Sequence, residues 1–266
     1  MAFLESPAAR LHFEVEGAGP PLLLVPGWTL NLRLWDLMVP ALAKRFRVIR
    51  LDPRDAGLST ADPLGEYSRL ADAEDAARLL DYLGIAAVHV AGHSRGARTA
   101  MVFAMSDPGR TLSVACIGSA EPPPEGPAPF RSVASAWVRE IRDVARTDGP
   151  EAVLDRLQSG RLFGKVRAAP EGVRLLRNAM EGYRAADLLT PAEPRSFDTV
   201  LGLGRLRAPA LFVAGDEDPF LEECRQAHRR IPGSRLEVLA RCGHMAPIER
   251  PGALAALLES FALGSV

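Results

Sequence analysis

Cysteine is scarce in this 266-residue chain: only Cys116, Cys224 and Cys242, widely spaced. An odd, scattered set builds neither a disulfide framework nor a zinc pattern. No stretch reaches the roughly 18 consecutive apolar residues that a membrane-spanning helix needs. The N-terminus, Met1-Ala2-Phe3-Leu4-Glu5-Ser6-Pro7, lacks the positive region and apolar core of a secretory signal. Lysine is sparse beside arginine, no basic run or tail occurs, and the net charge is −1, so nucleic acid is not an expected partner. These absences lead to the expectation of a cytoplasmic protein that handles a small molecule, with no membrane contact, metal or cofactor. What is present is ordinary for a globular protein: 47% apolar and 24% charged residues.

Strand and helix signals alternate along the first half. Leu11-His12-Phe13-Glu14-Val15-Glu16 has period two and reads as a strand. Leu22-Leu23-Leu24-Val25 is a continuous apolar run, as expected of a strand buried on both faces. Apolar spacing predicts a helix over 34–43, a strand over 47–51, and a helix capped by Ser68 and stopped by Gly84. Strands follow at 87–91 and 113–117. After Glu121-Pro122-Pro123-Pro124 the pattern breaks, and 132–187 shows only helical stripes: Val133, Trp137, Ile141, Val144, then 152–157, then Val173, Leu176, Met180, Tyr183. Strand and helix resume with 210–214, 236–239 and a final helix over 253–263. Such alternation implies an α/β fold, a mostly parallel, doubly wound sheet covered on both faces, with an inserted helical segment.

The chain is organised around Gly92-His93-Ser94-Arg95-Gly96, between the strand at 87–91 and a helical stretch at 97–105. A serine on such an elbow is held in a strained, exposed conformation at the positive end of a helix. The flanking glycines let strand and helix approach closely. A serine hydroxyl needs a base, and the base an orienting acid, in loops at the carboxyl ends of strands. The order for this elbow is Ser, acid, His. Of five histidines, His12 and His89 sit in strands, His228 on a polar helix, and His93 precedes the serine and is expected to be directed away. His244, in the loop Cys242-Gly243-His244-Met245, is the expected base. The acid is expected in Gly215-Asp216-Glu217-Asp218, with Asp218 chosen and Glu121 second.

With these motifs in order, the chain resembles the α/β-hydrolase superfamily over nearly its full length. The matching stretches are Val25-Pro26-Gly27-Trp28, Asp52-Pro53-Arg54 with Gly57-Leu58-Ser59, the Ser94 elbow, Gly215-Asp216-Glu217-Asp218 and Gly243-His244-Met245-Ala246-Pro247. The resemblance implies Asp218 as the triad acid and a helical cap over residues 121–205, on a core of 1–120 and 206–266. It also implies an oxyanion hole from the backbone N–H groups of Trp28 and Arg95. The chain departs from many relatives in having Pro26 where they have His, Asp55 within the Arg-Gly-x-Gly pattern, and Arg95 where they have an apolar residue. Arg95 is read either as a salt-bridging side chain or as a contact for a carboxylate-bearing substrate.

Relatives that dehalogenate or open epoxides carry Asp at the elbow, so Ser94 implies acyl transfer to water. The expected enzyme is a serine hydrolase of the carboxylesterase or lactonase type, acting on a small, largely apolar substrate. The alternatives on this fold are a C–C bond hydrolase, a cofactor-independent oxygenase and a non-catalytic ligand-binding member.

Overall fold

The computed structural model describes residues 1–6, 8–120, 128–191 and 206–265, with side chains for all of these except 128–135. Among these residues nine strands form one sheet: β1 (Ala2–Glu5), β2 (Ala9–Glu16), β3 (Pro21–Val25), β4 (Arg47–Leu51), β5 (Thr60–Ala61), β6 (Val88–His93), β7 (Thr111–Ile117), β8 (Ala210–Gly215) and β9 (Arg235–Leu239). The order is β1-β2-β4-β3-β6-β7-β8-β9, with β5 paired to β2. Pairs involving β2 are antiparallel and the rest parallel.

The apolar runs explain the layering. In β3, Leu22 and Leu24 face one cluster with Trp35 and Phe46, while Leu23 and Val25 face another with Leu79, Leu80 and Met101. A strand buried on both faces carries no polar alternation, because helices cover both sides. On the second face lie α2 (Arg69–Tyr82) and α3 (Arg95–Ser106). The Ser68 hydroxyl accepts the Ala71 N–H at 3.1 Å, and Gly84 follows with φ +66°, as the cap and stop require.

The helix expected over 34–43 is broken. A 3-10 turn, Leu32–Trp35, is followed by the one-turn α1 (Val39–Leu42). Pro40 lacks an N–H and its ring clashes with the carbonyl four residues back, so it is tolerated only in a first turn. The strands β1 and β5 were not foreseen; four and two residues are too short to show a period.

Between β7 and β8 the described residues form helices only: α4 (Ala128–Thr147), α5 (Gly149–Gln158), α6 (Pro170–Met180) and α7 (Ala186–Leu189), with short 3-10 turns. Then follow α8 (Leu221–Arg230), α9 (Ala246–Glu249) and α10 (Pro251–Leu263). No helix among the described residues is long and apolar enough to cross a membrane.

Candidate active site

Ser94 links β6 to α3 with φ 54° and ψ −119°. A non-glycine residue held there costs on the order of 1–3 kcal/mol and persists only where its surroundings enforce it. The enforcement is visible in its neighbours. A Cβ on Gly92 would lie 2.0 Å from the Gly96 carbonyl oxygen, and one on Gly96 would lie 2.3 Å from the carbonyl oxygens of Val25 and Pro26. Only glycine permits this crossing of strand and helix. The Ser94 N–H donates to the Ile117 carbonyl at 2.8 Å, pinning the elbow to β7.

Asp218 and His244 come from the turns after β8 and β9. The carboxylate receives the His244 Nδ1 on both oxygens, each at 3.1 Å, and both side chains are buried. The Phe220 N–H donates to Asp218 Oδ1 at 2.9 Å, fixing the rotamer. The two turns are tied together. Asp216 accepts the N–H groups of Arg241 and Cys242 at 2.9 and 3.0 Å, and the Glu217 N–H donates to the Cys242 carbonyl at 3.0 Å. Glu249 holds the His loop from the other side, accepting the N–H of Gly243 at 2.5 Å and of Met245 at 3.2 Å. Ser94 and His244 line one small chamber with Trp28, Leu30, His93 and Met245. Glu121, the second candidate for the acid, lies outside the described residues.

The structure places His93 differently from the expectation. Its ring is not directed away from the site but lies 4.9 Å from the His244 ring, centroid to centroid. Its Nε2–H donates to the His244 carbonyl at 2.8 Å. Complete burial, with the His244 charge beside it, lowers its pKa to about 3 and so favours the neutral imidazole. His12 and His89 are buried partners of Asp52 and Ser113, each at 2.8 Å.

Trp28 follows β3, and Arg95 is the first residue of α3, where a backbone N–H has no intrahelical acceptor. The Trp28 ring is a wall: its Nε1–H donates to Asp187 at 2.6 Å, and it meets Trp137 edge-on at 5.7 Å. The Arg95 guanidinium pairs with Asp72 at 2.8 Å, lies 3.7 Å from Asp187 and donates to the Tyr67 carbonyl at 3.2 Å.

Above Ser94 opens a cleft of about 530 Å³. Its apolar wall is Trp28, Trp137, Val138, Leu162, Leu188 and Phe220, drawn from the sheet loops and from the insertion. Sequence reasoning missed Asp187, which sits in α7 about 130 residues from its partner Asp55 and carries no local motif. Asp187 accepts from Trp28 and from the Tyr183 hydroxyl at 2.7 Å, and its N–H donates to Asp55 at 3.3 Å. Among the described residues no group of His, Cys, Asp or Glu is gathered to hold a metal ion.

Comparison with known proteins agrees with this fold. Residues 20–251 match the family model of the alpha/beta hydrolase fold. A 2-hydroxy-6-oxononadienedioate/2-hydroxy-6-oxononatrienedioate hydrolase of Pseudomonas putida is 29% identical over 88% of this chain and 81% of its own. A fluoroacetate dehalogenase of a Burkholderia species is 37% identical over 39% of this chain, and the match spans 35% of that relative's length. The solved structure of a thermophilic esterase from Thermogutta terrifontis, malate bound, superposes with a TM-score of 0.84 at 25% identity, covering 100% of this chain and 99% of that one. By its sheet order, its serine elbow and a family match over most of its length, the chain belongs to the alpha/beta hydrolase fold family.

Proposed function

We propose that this hydrolase cleaves an ester or lactone bond of a small, largely apolar substrate through an acyl-enzyme. Ser94 is the nucleophile, His244 the general base, and Asp218 the acid that orients the imidazole and stabilises its cation. The observation that carries the reading is one arrangement. Ser94 stands on a strained elbow at a helix N-terminus, in the same chamber as an imidazole whose Nδ1 side is taken by a buried carboxylate. That leaves Nε2 to take the hydroxyl proton.

Attack of Ser94 Oγ on the carbonyl carbon puts negative charge on the former carbonyl oxygen. The backbone N–H groups of Trp28 and Arg95 receive it, each donor being worth about 3 kcal/mol in related sites. His244 gives its proton to the leaving oxygen and then draws one from water, which attacks the acyl carbon and frees Ser94. No cofactor is needed. The described helices between β7 and β8 act as a cap, and their side chains Trp137, Val138, Leu162 and Leu188, with Trp28, enclose the acyl chain and keep bulk water from the acyl-enzyme. The serine separates this reading from dehalogenation and epoxide opening, which use a carboxylate nucleophile.

A fluorophosphonate probe and a panel of p-nitrophenyl esters of increasing acyl length, followed by lactones, test the proposal. The wild-type chain is expected to label at Ser94 and hydrolyse short esters. Ser94→Ala is expected to abolish labelling and lower kcat on the order of 10⁴-fold or more, with an unchanged circular dichroism spectrum. Full activity of Ser94→Ala would remove the serine from the mechanism.

A further inference from the structure

Among the described residues, four arginines, Arg69, Arg95, Arg98 and Arg142, line the cleft above Ser94, against one carboxylate, Asp187. Arg95 is neutralised by Asp72 at 2.8 Å, and Arg98 by Glu223 at 3.2 Å. Arg142 differs. No residue gives it a hydrogen bond or ion pair among the described residues, and its Nε is buried without a partner. The carboxylates nearest it in sequence are engaged elsewhere: Asp143 pairs with Arg146 at 3.6 Å, and Glu140 with Arg156 at 2.7 Å.

Arg142 lies on α4 four residues after Val138, so the two share one helix face, and both line the cleft. A half-buried guanidinium with no counter-ion among the described residues is costly to maintain, since burial disfavours a charge unless it is paired. Its five donors form a planar fork suited to a carboxylate. Among the described residues the cleft therefore holds a nucleophile, an apolar wall and a cation without a counter-ion.

We propose that Arg142 is a specificity residue that binds a carboxylate of the substrate, so that the preferred substrate is an ester or lactone whose acyl part ends in a carboxylate. This deepens the hydrolase reading and rests on it. The apolar wall takes the methylene chain, and the arginine fork takes its charged end while the ester carbonyl reaches Ser94. Arg95, fastened between Asp72 and Asp187, is not the anion ligand.

The test compares p-nitrophenyl butyrate with mono-p-nitrophenyl glutarate, which differ by one terminal carboxylate of the acyl chain. The wild-type enzyme is expected to prefer the glutarate monoester. Arg142→Met is expected to lower kcat/KM for it by about 10- to 100-fold, the worth of a charge-assisted hydrogen bond. The same variant should leave the butyrate ester within about twofold, which also shows that it folds. Arg142→Lys, which keeps the charge and loses the fork, should fall between. Equal loss on both esters, or no preference in the wild type, overturns the proposal. A second arm does not need turnover: Ser94→Ala protein, with and without Arg142→Met, is titrated with monoethyl glutarate. Equal affinity in the two overturns the proposal. If Ser94 fails to label while anion binding still depends on Arg142, the hydrolase reading fails and the anion site stands.

Discussion

At the scale of single residues, the site depends on atoms that are missing. Gly118, at the end of β7 with φ +66°, lies flat against the Asp218–His244 pair. A Cβ there would sit 3.1 Å from Asp218 Oδ2 and 3.1 Å from both Cε1 and Nδ1 of His244. The imidazole is hemmed in by other rings, Phe220 at 5.2 Å and His93 at 4.9 Å, centroid to centroid. Gly118→Ala is therefore expected to tilt the imidazole by a few tenths of an ångström and to strain the backbone by about 1 kcal/mol or more. Slower labelling by fluorophosphonate and a kcat lowered roughly 10-fold or more, at nearly unchanged KM, are the expected readouts, since misplacement of a reacting group is felt in the chemical step. A variant with wild-type kcat would show that the pair is looser than its packing implies. The residues of the Ser94 elbow were legible because their chemistry dictates their spacing. Gly118 and His93 were not, because what matters there is a neighbour brought close by the sheet.

At the scale of elements, the loop after β4 and the helix α7 meet where the Asp187 backbone N–H donates to the Asp55 carboxylate at 3.3 Å. Burial, and then the charge of Asp187, pushes the Asp55 pKa from the ordinary 3.8 to about 7. Arg184 opposes the shift, as do the N–H groups of Ala186 and Asp187; Tyr67 and Tyr183 feel the same two acids, and burial with these charges raises the Tyr67 pKa to about 12. The folded protein thus holds a proton on Asp55 that the unfolded chain releases near pH 4. Its contribution to stability is complete below that pH and is lost as pH rises towards 7. Asn at this position stays neutral throughout. Asp55→Asn is expected to raise Tm at pH 8 by more than it does at pH 5, in thermal melts of the two proteins at both pH values. A difference in Tm that stays constant with pH would mean that Asp55 is ionised across the whole range. Nothing in the sequence announces this contact. It joins an interrupted Arg-Gly-x-Gly pattern to a helix too short to read, whereas α2 and α10, with full periods and clear ends, were placed within two residues of their observed bounds.

For the molecule as a whole, sheet order follows from apolar runs and right-handed crossovers, and so the topology was legible in outline. The attachment of the insertion to the core was not, because it is made by backbone carbonyls that any sequence would supply. Asn31, 4% exposed, is the central tie. Its amide donates to the carbonyls of Asn178 at 2.8 Å and Glu181 at 3.0 Å, its N–H donates to Ala179 at 2.6 Å, and its Oδ1 caps the Arg33 N–H at 2.8 Å. The Gly57 N–H reaches the Glu181 carbonyl at 3.1 Å, and Arg184 returns to the carbonyls of Ser59 and Gly57 at 3.0 and 3.2 Å. The end of α6 and the turn after it are thereby sewn to the loops that follow β3 and β4. If that seam makes the insertion part of one cooperative unit, Asn31→Ala should cost about 1–3 kcal/mol, the range for leaving buried groups unpaired. In a chain of this length that corresponds to a fall in Tm of roughly 5 °C. The melt should remain a single transition, with activity and ellipticity lost together on heating. Loss of activity well below the main transition, accompanied by early proteolysis within the insertion, would instead make the insertion a separately unfolding unit despite these ties.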